Sequence, residues 1–368
     1  MTDNPESRKY PFIMQVGITG ECNLRCIHCY DDADTHYHMS FQDCKKVIDA
    51  FLDYCSTFRR LPVIWLTGGE PTLHPHLWDI LDYIEEKTSS MCYAAILSNG
   101  TTMSEDMVHR LEEYSMRMDV QISFDGATPQ IHDAVRGKGA FHQALGALKY
   151  LSTSRIATHM HYVVHRNNYG DAFAITDLAV RMKADVLTVT RLVPWGRGKT
   201  LEELMLTPEQ VLTLYRKLSH DFDILSVDKT SNLHVARDRC DWPVIYDPSH
   251  PDALTKNGQR CSAGLSHICV VENGDVYPCR RMPVPLGNIF KEDFISIWNH
   301  PMMWNLRQRH HIVKGKCQDC YFCRKAPNVC SGGASCIAYA VYKNPFQPDP
   351  QCPYTPDVES GAFQMFGH

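Results

Sequence analysis

The sequence lacks three features that would point to a membrane, to export or to nucleic acid. No apolar run reaches the roughly eighteen residues of a transmembrane helix, and residues 1–12 are polar, unlike a secretory signal peptide. The 37 Lys and Arg residues are outnumbered by 42 Asp and Glu residues, so the net charge of −5 gives no electrostatic reason to expect nucleic acid or an anionic membrane as a partner. We therefore expect a cytoplasmic protein.

Cysteines are absent from most of the middle of the chain, although the chain has 16 of them. Three lie near residue 25, and nine lie between Cys261 and Cys352 inclusive. A reducing compartment disfavours disulfides, so metal or redox chemistry explains the cysteines better. Hydrophobic residues make up 44% and charged residues 21% of the 368 residues, which is typical of a globular protein with a sizeable core.

Apolar, β-rich segments alternate with helical patterns from residue 13 to about residue 222. Strands are predicted at residues 13–19, 62–67, 91–97, 118–124, 157–164 and 185–193. Helices are predicted near residues 40–56, 75–87, 104–115, 140–153, 169–183 and 208–222. Six strands, each followed by a helix, imply a parallel sheet with right-handed crossovers. Because about two hundred residues is short for eight such units, we predict an α/β fold with a partial (β/α)6 TIM-type barrel that works at the carboxyl ends of its strands.

Four cysteines are predicted to belong to the core rather than to a metal site. Cys44 and Cys55 share one stripe of the helix at residues 40–56 with Val47, Ile48 and Phe51. Cys92 opens a β-rich segment and Cys269 lies inside another. Buried free cysteine behaves as a small hydrophobic residue, so these four need no ligand role.

Three other cysteines follow the first predicted strand directly, with the spacing C-x3-C-x2-C. Cys22, Cys26 and Cys29 are one short of the four ligands that a structural zinc ion or a closed iron–sulfur cube requires. A cube held by three thiolates keeps one iron open to an exogenous ligand. The alternative is a zinc site completed by His28 or His36.

A second motif lies at the end of the second predicted strand, where Thr67 precedes the sequence GGEP. Two glycines let backbone approach a ligand, and the following carboxylate or carbonyl group can accept an ammonium group. The C-x3-C-x2-C loop and this motif together resemble the radical S-adenosylmethionine (radical SAM) superfamily. The resemblance implies that Gly68, Gly69, Glu70 and Pro71 receive the amino group of the methionine moiety of SAM.

Other strand ends match this superfamily with lower specificity. The resemblance implies that Arg136 contacts the carboxylate of SAM and that Leu192 lies in the segment beside the adenine. The remaining candidates for SAM binding end the third and fourth predicted strands and are Ser98, Asn99, Ser123 and Asp125. Each of these residues could instead serve as strand-end capping or turn chemistry.

The resemblance also implies the reaction. The open iron would chelate the amino and carboxylate groups of SAM, and one electron from the reduced cluster would cleave the sulfonium. The products would be methionine and a 5′-deoxyadenosyl radical, which abstracts hydrogen from the substrate. A low-potential donor such as flavodoxin or ferredoxin would supply the electron. The rival classes are an iron–sulfur electron-transfer protein, which has no use for the GGEP motif, and a zinc-stapled binding module.

The last hundred residues contain a second cysteine pattern. Residues 261–279 predict a β-hairpin with a cysteine at each end, and Asn273 followed by Gly274 favours a type I′ turn. This region resembles the SPASM extension of radical SAM enzymes, which carries two auxiliary four-iron clusters. The resemblance therefore implies SAM and three [4Fe–4S] clusters as cofactors. A zinc ribbon is the alternative.

The cysteine spacing departs from the usual SPASM spacing, so the ligand sets stay partly open. The first auxiliary cluster is predicted to use Cys261, Cys279 and Cys336, with Cys240 as a candidate fourth ligand. The second auxiliary cluster is predicted to use Cys317, Cys320, Cys330 and Cys352, which makes Cys323 a substitute ligand or a spare. We expect residues 1–222 to form the barrel, 223–260 a connector, and 261–368 the SPASM domain and tail.

SPASM proteins mostly modify peptides or proteins, so the resemblance implies maturation of a ribosomal peptide by crosslinking, epimerisation or side-chain oxidation. The runner-up substrate is a tetrapyrrole or another small molecule. Arg280 stands where the sulfatase-maturating branch has an acidic residue, which argues against that branch. Only twelve residues precede the first strand, so a separate leader-binding protein is expected. His161, His165 and Tyr30 are the candidates for substrate contact or proton transfer.

We predict that anaerobically reconstituted protein holds about three four-iron clusters, or roughly twelve irons per chain. Changing Cys22, Cys26 and Cys29 together to Ala should remove one cluster and abolish reductive cleavage of SAM, because the open iron is then lost. Iron analysis and the yield of 5′-deoxyadenosine measure the two effects. Cleavage of SAM by the triple variant would contradict the prediction.

Overall fold

The computed structural model describes residues 11–31, 36–88, 91–228, 233–235, 260–325, 327, 329–356 and 363–365. Cys240, the candidate fourth ligand, and most of the predicted connector lie outside the described residues. No helix in these ranges is both long and apolar enough to cross a membrane.

Six strands form the barrel, each preceding one or more helices. The strands are β1 (Phe12–Thr19), β2 (Pro62–Gly68), β3 (Tyr93–Ser98), β4 (Arg117–Phe124), β5 (Ala157–Val164) and β6 (Val186–Arg191). The helices are α1 (Phe41–Phe58), α2 (Leu77–Thr88), α3 (Glu105–Glu112), α4 (Pro129–Arg136), α5 (Ala140–Leu151), α6 (Ala174–Arg181) and α7 (Pro208–Asp228). Neighbouring strands from β1 to β6 are all parallel, which confirms the partial (β/α)6 barrel.

The cysteine-rich region extends the same sheet. Its strands are β8 (His267–Val270), β9 (Asp275–Tyr277) and β10 (Gly287–Asn288), while β7 (His234–Val235) pairs with β6 at the other edge. Strand β8 pairs in parallel with β1, and β9 and β10 continue outward as antiparallel strands. Among the described residues the sheet order is β10-β9-β8-β1-β2-β3-β4-β5-β6-β7. The predicted hairpin is therefore part of the barrel wall and not a separate layer.

Short elements complete the carboxyl-terminal part. They are α8 (Phe294–Trp298), α9 (Pro301–Arg307), α10 (Arg309–Ile312), α11 (Tyr321–Lys325), α12 (Ser335–Tyr342), β11 (Tyr354–Pro356) and β12 (Phe363–Met365). The last two strands form a small antiparallel pair. These elements are short, so their packing depends on contacts with the barrel and with one another rather than on helix propensity.

Two predictions of local structure were wrong, and one helix was missed. The predicted helix at residues 169–183 is a 3₁₀ turn at Tyr169–Asp171 followed by α6, and α4 was not predicted at all. The hairpin turn is not type I′, because Gly274 has a φ of 85° whereas Asn273 does not have a positive φ. The amide of Gly274 instead donates to the carbonyl of Val271 at 2.8 Å, which fits a type I turn ending in a left-handed glycine.

The core lies between the sheet and the outer helices, and α1 shows how the sequence produces it. Ser40 caps the helix by accepting a hydrogen bond from the amide of Asp43. The predicted stripe of Cys44 and Cys55 is buried. Cys92 and Cys269 are buried as well. The prediction that these four cysteines are core residues therefore agrees with their burial.

An aromatic cluster joins the carboxyl-terminal part to the barrel. The rings of Phe12 on β1 and Trp298 on α8 lie 4.5 Å apart, and Tyr54 on α1 lies 5.1 Å from Phe294 on α8. Phe51 completes the cluster at 5.2 Å from Phe12. Buried aromatic side chains remove a large apolar area from water, so this cluster is a main source of packing energy between the two parts.

We predict that Trp298→Ala lowers the free energy of unfolding by about 3–5 kcal/mol, because it leaves a cavity where the side chain is now only 2% exposed. Trp304→Ala is the matched control, since Trp304 is 38% exposed and should cost less than about 1 kcal/mol. Denaturant unfolding of the iron-loaded variants measures both. Equal losses in the two variants would contradict the role of the cluster.

Candidate active site and metal centres

The loop of Cys22, Cys26 and Cys29 follows β1 and lies at the carboxyl ends of the strands. The three thiols are close enough for charge on one to raise the pKa of another, although burial is the larger cause and raises the pKa of Cys26 to about 11. The amide of Leu24 donates to the sulfur of Cys22 at 3.5 Å. Three facing thiols with a backbone donor fit a cluster with three protein ligands.

The GGEP turn after β2 packs directly against this loop. The amide of Gly69 donates to the carbonyl of Thr19, and the amide of Glu70 donates to the carbonyl of Glu21, both at 2.7 Å. Gly68 has a φ of 143°, and a Cβ on either glycine would overlap the backbone of residues 19–21. The glycines are thus required by a close approach of two backbone segments.

The carboxylate of Glu70 is fully buried and already occupied by protein donors. Its Oε1 accepts from the hydroxyls of Thr72 and Ser98 at 2.6 and 2.8 Å, and from the amide of Thr72 at 3.2 Å. Its Oε2 accepts from the amide of Asn99 at 2.7 Å. Burial nevertheless raises the pKa of Glu70 above its usual value. Glu70 therefore ties the end of β2 to the end of β3, and the carbonyls of Glu70 and Pro71 accept from the amides of Leu73 and His74, both at 3.1 Å.

Asn99 reaches from the end of β3 to the cysteine loop. Its Nδ2 donates to Oδ1 of Asn23 at 2.9 Å and lies 3.9 Å from the sulfur of Cys22. Its Oδ1 accepts from the amide of Thr101 at 2.8 Å, which fixes the orientation of the side chain.

Helix α4 places Arg136 against the opposite side of the loop. Nε of Arg136 donates to Oδ2 of Asp125 at 2.6 Å, and Nη1 lies 3.9 Å from the sulfur of Cys26. His28 contacts the same Oδ2 at 2.9 Å. Burial works against the charge of Asp125, but Arg136 and His28 outweigh it and hold the pKa of Asp125 well below its usual range.

Three buried polar atoms of this network have no hydrogen-bond partner among the described residues. One is Nε2 of His132 on α4, and the others are Oδ1 of Asp125 and Nε2 of His165, at the ends of β4 and β5. Burial lowers the pKa of His165 to about 4, so the ring is neutral near pH 7. An unpaired acceptor and a neutral imidazole fit a cosubstrate that carries hydroxyl groups. The predicted SAM site therefore has both the thiols and the unsatisfied polar atoms that its occupant needs.

The segment after β6 is a contact that the sequence reasoning missed. Arg197 donates from Nε to the carbonyl of Cys26, and the amide of Gly198 donates to the carbonyl of Cys29, both at 3.2 Å. Gly196 has a φ of 60°, and a Cβ there would overlap the backbone of Tyr30. The two glycines of residues 194–198 (PWGRG) could have indicated this close approach of two backbone segments. Leu192, the predicted adenine-side residue, is buried just before this segment.

The candidate His161 lies on the less buried face of β5. Met160, Tyr162 and Val164 of β5 are buried on the helix side, whereas His159 and His161 are half-buried on the other side. His161 lies 3.1 Å from the hydroxyl of Thr190 on β6, and Ser123 is its register partner on β4. Tyr30 is a weaker candidate for proton transfer, because burial raises its pKa to about 12.

The cysteines of the carboxyl-terminal part form two groups. In the first, the thiol of Cys279 lies close enough to the thiols of Cys336 and Cys261 for their charges to act on it. In the second, one cavity of about 40 Å³ is lined by Cys317, Cys320, Cys323, Cys330 and Cys352. The thiol of Cys323 lies against those of Cys317, Cys320 and Cys330, whereas Cys352 faces Cys330. The structure thus gathers the two predicted sets and adds Cys323 to the second.

In the described ranges, no three His, Cys, Asp or Glu side chains are arranged to hold a single metal ion. A four-iron cube distributes its cysteine ligands over four separate irons. The cysteine groups above therefore fit clusters rather than a single metal ion.

Comparison with known proteins decides the family. Residues 16–179 match the radical SAM superfamily, and residues 261–321 match the SPASM iron–sulfur cluster-binding domain. The mycofactocin maturase MftC of Mycobacterium ulcerans (strain Agy99) is 30% identical over 358 residues, which cover 93% of this chain and 88% of that protein. The chain belongs to the radical SAM superfamily. It is a radical SAM enzyme with a SPASM domain, and its cofactors are SAM and iron–sulfur clusters.

Two further similarities bear on this radical SAM enzyme. The Fe-coproporphyrin III synthase of Methanosarcina barkeri (strain Fusaro / DSM 804) is 29% identical over 374 residues, which cover 94% of this chain and 88% of that protein. The solved structure of native anSMEcpe with bound AdoMet and the Cp18Cys peptide has a TM-score of 0.72 and 18% identity, and the match covers 93% of this chain and 94% of that chain. The structural likeness shows a common fold.

We predict that Glu70→Ala weakens SAM binding by roughly ten- to a hundredfold while iron content stays near normal. The variant removes the carboxylate that joins residues 70–72 to residues 98–99, so the turn that is predicted to receive the amino group loosens. Anaerobic calorimetry measures the affinity, and Glu113→Ala, at an exposed position, is the matched control. Wild-type affinity in Glu70→Ala would show that SAM lies elsewhere.

A second prediction concerns the five thiols of one cavity. A four-iron cluster needs about four cysteine ligands, so Cys323→Ser and Cys352→Ser should each keep near-normal iron, whereas the double variant should lose about four irons. Iron and sulfide analysis after reconstitution measures this. Loss of a whole cluster in Cys352→Ser alone would instead make Cys352 an obligatory ligand and Cys323 a spare.

Proposed function

We propose that this radical SAM enzyme abstracts hydrogen from a peptide or protein substrate and so installs a crosslink, an epimerised centre or an oxidised side chain. The observation that carries the proposal is the pairing of β8 with β1. This pairing joins the cysteine hairpin directly to the strand that leads into the loop of Cys22, Cys26 and Cys29. The same overall fold accommodates AdoMet and a peptide together in anSMEcpe.

The chain's own residues would hold the cosubstrate in three ways. Cys22, Cys26 and Cys29 would bind the cluster, and the turn of residues 68–71 would receive the amino group of SAM. Oδ1 of Asp125 and Nε2 of His165 would meet its hydroxyl groups, since neither has another partner in the described residues. Ser98, Asn99, Ser123 and Leu192 would shape the remaining walls, and Arg136 would serve through Asp125 and Cys26.

When bound, SAM and the cluster supply the 5′-deoxyadenosyl radical for hydrogen abstraction. The barrel orients the cosubstrate and keeps water from the reacting atoms. His161 and Thr190, which lie 3.1 Å apart on neighbouring strands, would line the wall that a substrate side chain meets. The auxiliary cysteine groups would hold two further [4Fe–4S] clusters, for three in total.

A tetrapyrrole is the second candidate substrate. The similarity to the Fe-coproporphyrin III synthase extends over 94% of this chain and is as strong as the similarity to MftC in coverage. In both cases we propose a cytoplasmic enzyme that receives its electron from flavodoxin or ferredoxin. For a peptide we also propose a separate leader-binding protein. We also propose that the barrel comprises residues 1–222, the connector 223–260, and the SPASM domain and tail 261–368. In this proposal Cys240 is the candidate fourth ligand of the first auxiliary cluster.

The deciding experiment supplies the reconstituted enzyme with SAM, dithionite and two substrate panels. One contains the short peptides encoded beside the gene, made with deuterated side chains, and the other contains iron tetrapyrroles including Fe-coproporphyrin III. We expect a mass change in a peptide and deuterium in 5′-deoxyadenosine, because the abstracted atom moves to that product. Conversion of a tetrapyrrole alone would favour the second candidate. Cys44→Ala, a buried core position, controls for general effects of losing a cysteine.

A further inference from the structure

Arg280 connects the auxiliary hairpin to the radical-site loop. It follows Cys279 of the first auxiliary group, and its side chain is only 4% exposed. Its Nη2 donates to Oδ2 of Asp31 at 2.5 Å. Because Asp31 lies two residues after Cys29 and Arg280 directly after Cys279, a single ion pair links the two cysteine groups.

The surroundings leave the guanidinium little freedom. It lies over the ring of Tyr30 at 5.9 Å, and the thiol of Cys269 on β8 is close to it. Its Nη1 occupies the space beside Gly17 on β1, where an added Cβ would overlap it. Gly17 has no positive φ, so the backbone does not require glycine there. The missing side chain therefore serves to admit Arg280.

The charges of this pair are close to both cysteine groups. Arg280 and Asp31 together are neutral, and Glu272 is the next anionic neighbour. A positive charge near an iron–sulfur cluster favours the reduced form, and a negative charge disfavours it. Loss of either partner would therefore leave one uncompensated charge beside the metal sites.

We propose that Arg280 is a positioning residue that clamps the loop of Cys22, Cys26 and Cys29 to the auxiliary hairpin through Asp31. The clamp fixes the separation of the two metal sites without touching substrate. The proposal rests on both cysteine groups binding iron–sulfur clusters, and it is independent of whether the substrate is a peptide or a tetrapyrrole.

The test compares Arg280→Gln, Asp31→Asn, the double variant and Gly17→Ala in the reconstituted enzyme without substrate. Hydrogen exchange of the amides of residues 22–31 should be about ten- to a hundredfold faster in all four, because each loses a charge-assisted bond or its geometry. Lys46→Gln, which breaks an exposed ion pair on α1, should leave that exchange unchanged.

The midpoint potential of the radical-site cluster, followed by electron paramagnetic resonance (EPR), separates a clamp from a general loss of structure. Arg280→Gln should make it more negative and Asp31→Asn more positive. The double variant and Gly17→Ala should stay near wild type, since neither changes the net charge. Unchanged exchange in both single variants, or shifts of the same sign, would overturn the proposal. If Arg280→Gln fails to load iron, Asp31→Asn and Gly17→Ala still decide it.

Discussion

A buried ion pair between Asp125 and Arg136 holds the metal-binding loop on the barrel. The two side chains come from the end of β4 and the end of α4, and both are almost fully removed from water. Asp125 contacts His28, and Arg136 lies near the thiol of Cys26. The same ion pair therefore holds both the cysteine loop and the end of β4. Removing one partner of such a pair typically costs about 3–5 kcal/mol, because it leaves a buried charge without compensation. The GGEP turn, Asn99 and the segment after β6 then close the other sides.

This arrangement explains which parts of the fold could be predicted. The six β/α units follow from period-2 and period-3.6 patterns that each segment carries by itself. The position of Cys22, Cys26 and Cys29 at the working face follows from the strand that precedes them. Helix α4 was missed because it is only eight residues long and begins at a proline, three residues after Gly126. The addition of β8 to the edge of β1 is a long-range pairing, for which the local sequence carries no signal.

The roles of single residues were harder to predict than their places. The GGEP turn was predicted to receive the amino group of SAM through a carboxylate or a carbonyl group, and the structure adds that the Glu70 carboxylate accepts from Thr72, Ser98 and Asn99. The sequence predicted Cys323 as either a substitute ligand or a spare cysteine. Its position against three other thiols favours the ligand role. In the sequence, Arg280 served only as an argument against the sulfatase-maturating branch. Its partner Asp31 is 249 residues away, so no local pattern could predict the ion pair.

The central claim is that the loop of Cys22, Cys26 and Cys29 holds a cluster with one iron open to SAM. Electron–nuclear double resonance of the reduced enzyme, with SAM labelled by ¹⁵N at its amino group, tests it most directly. We predict that adding SAM changes the EPR spectrum and that a ¹⁵N coupling appears, because the amino nitrogen then binds the open iron. A spectrum unchanged by SAM, with no ¹⁵N coupling in enzyme that carries its full iron, would contradict the account.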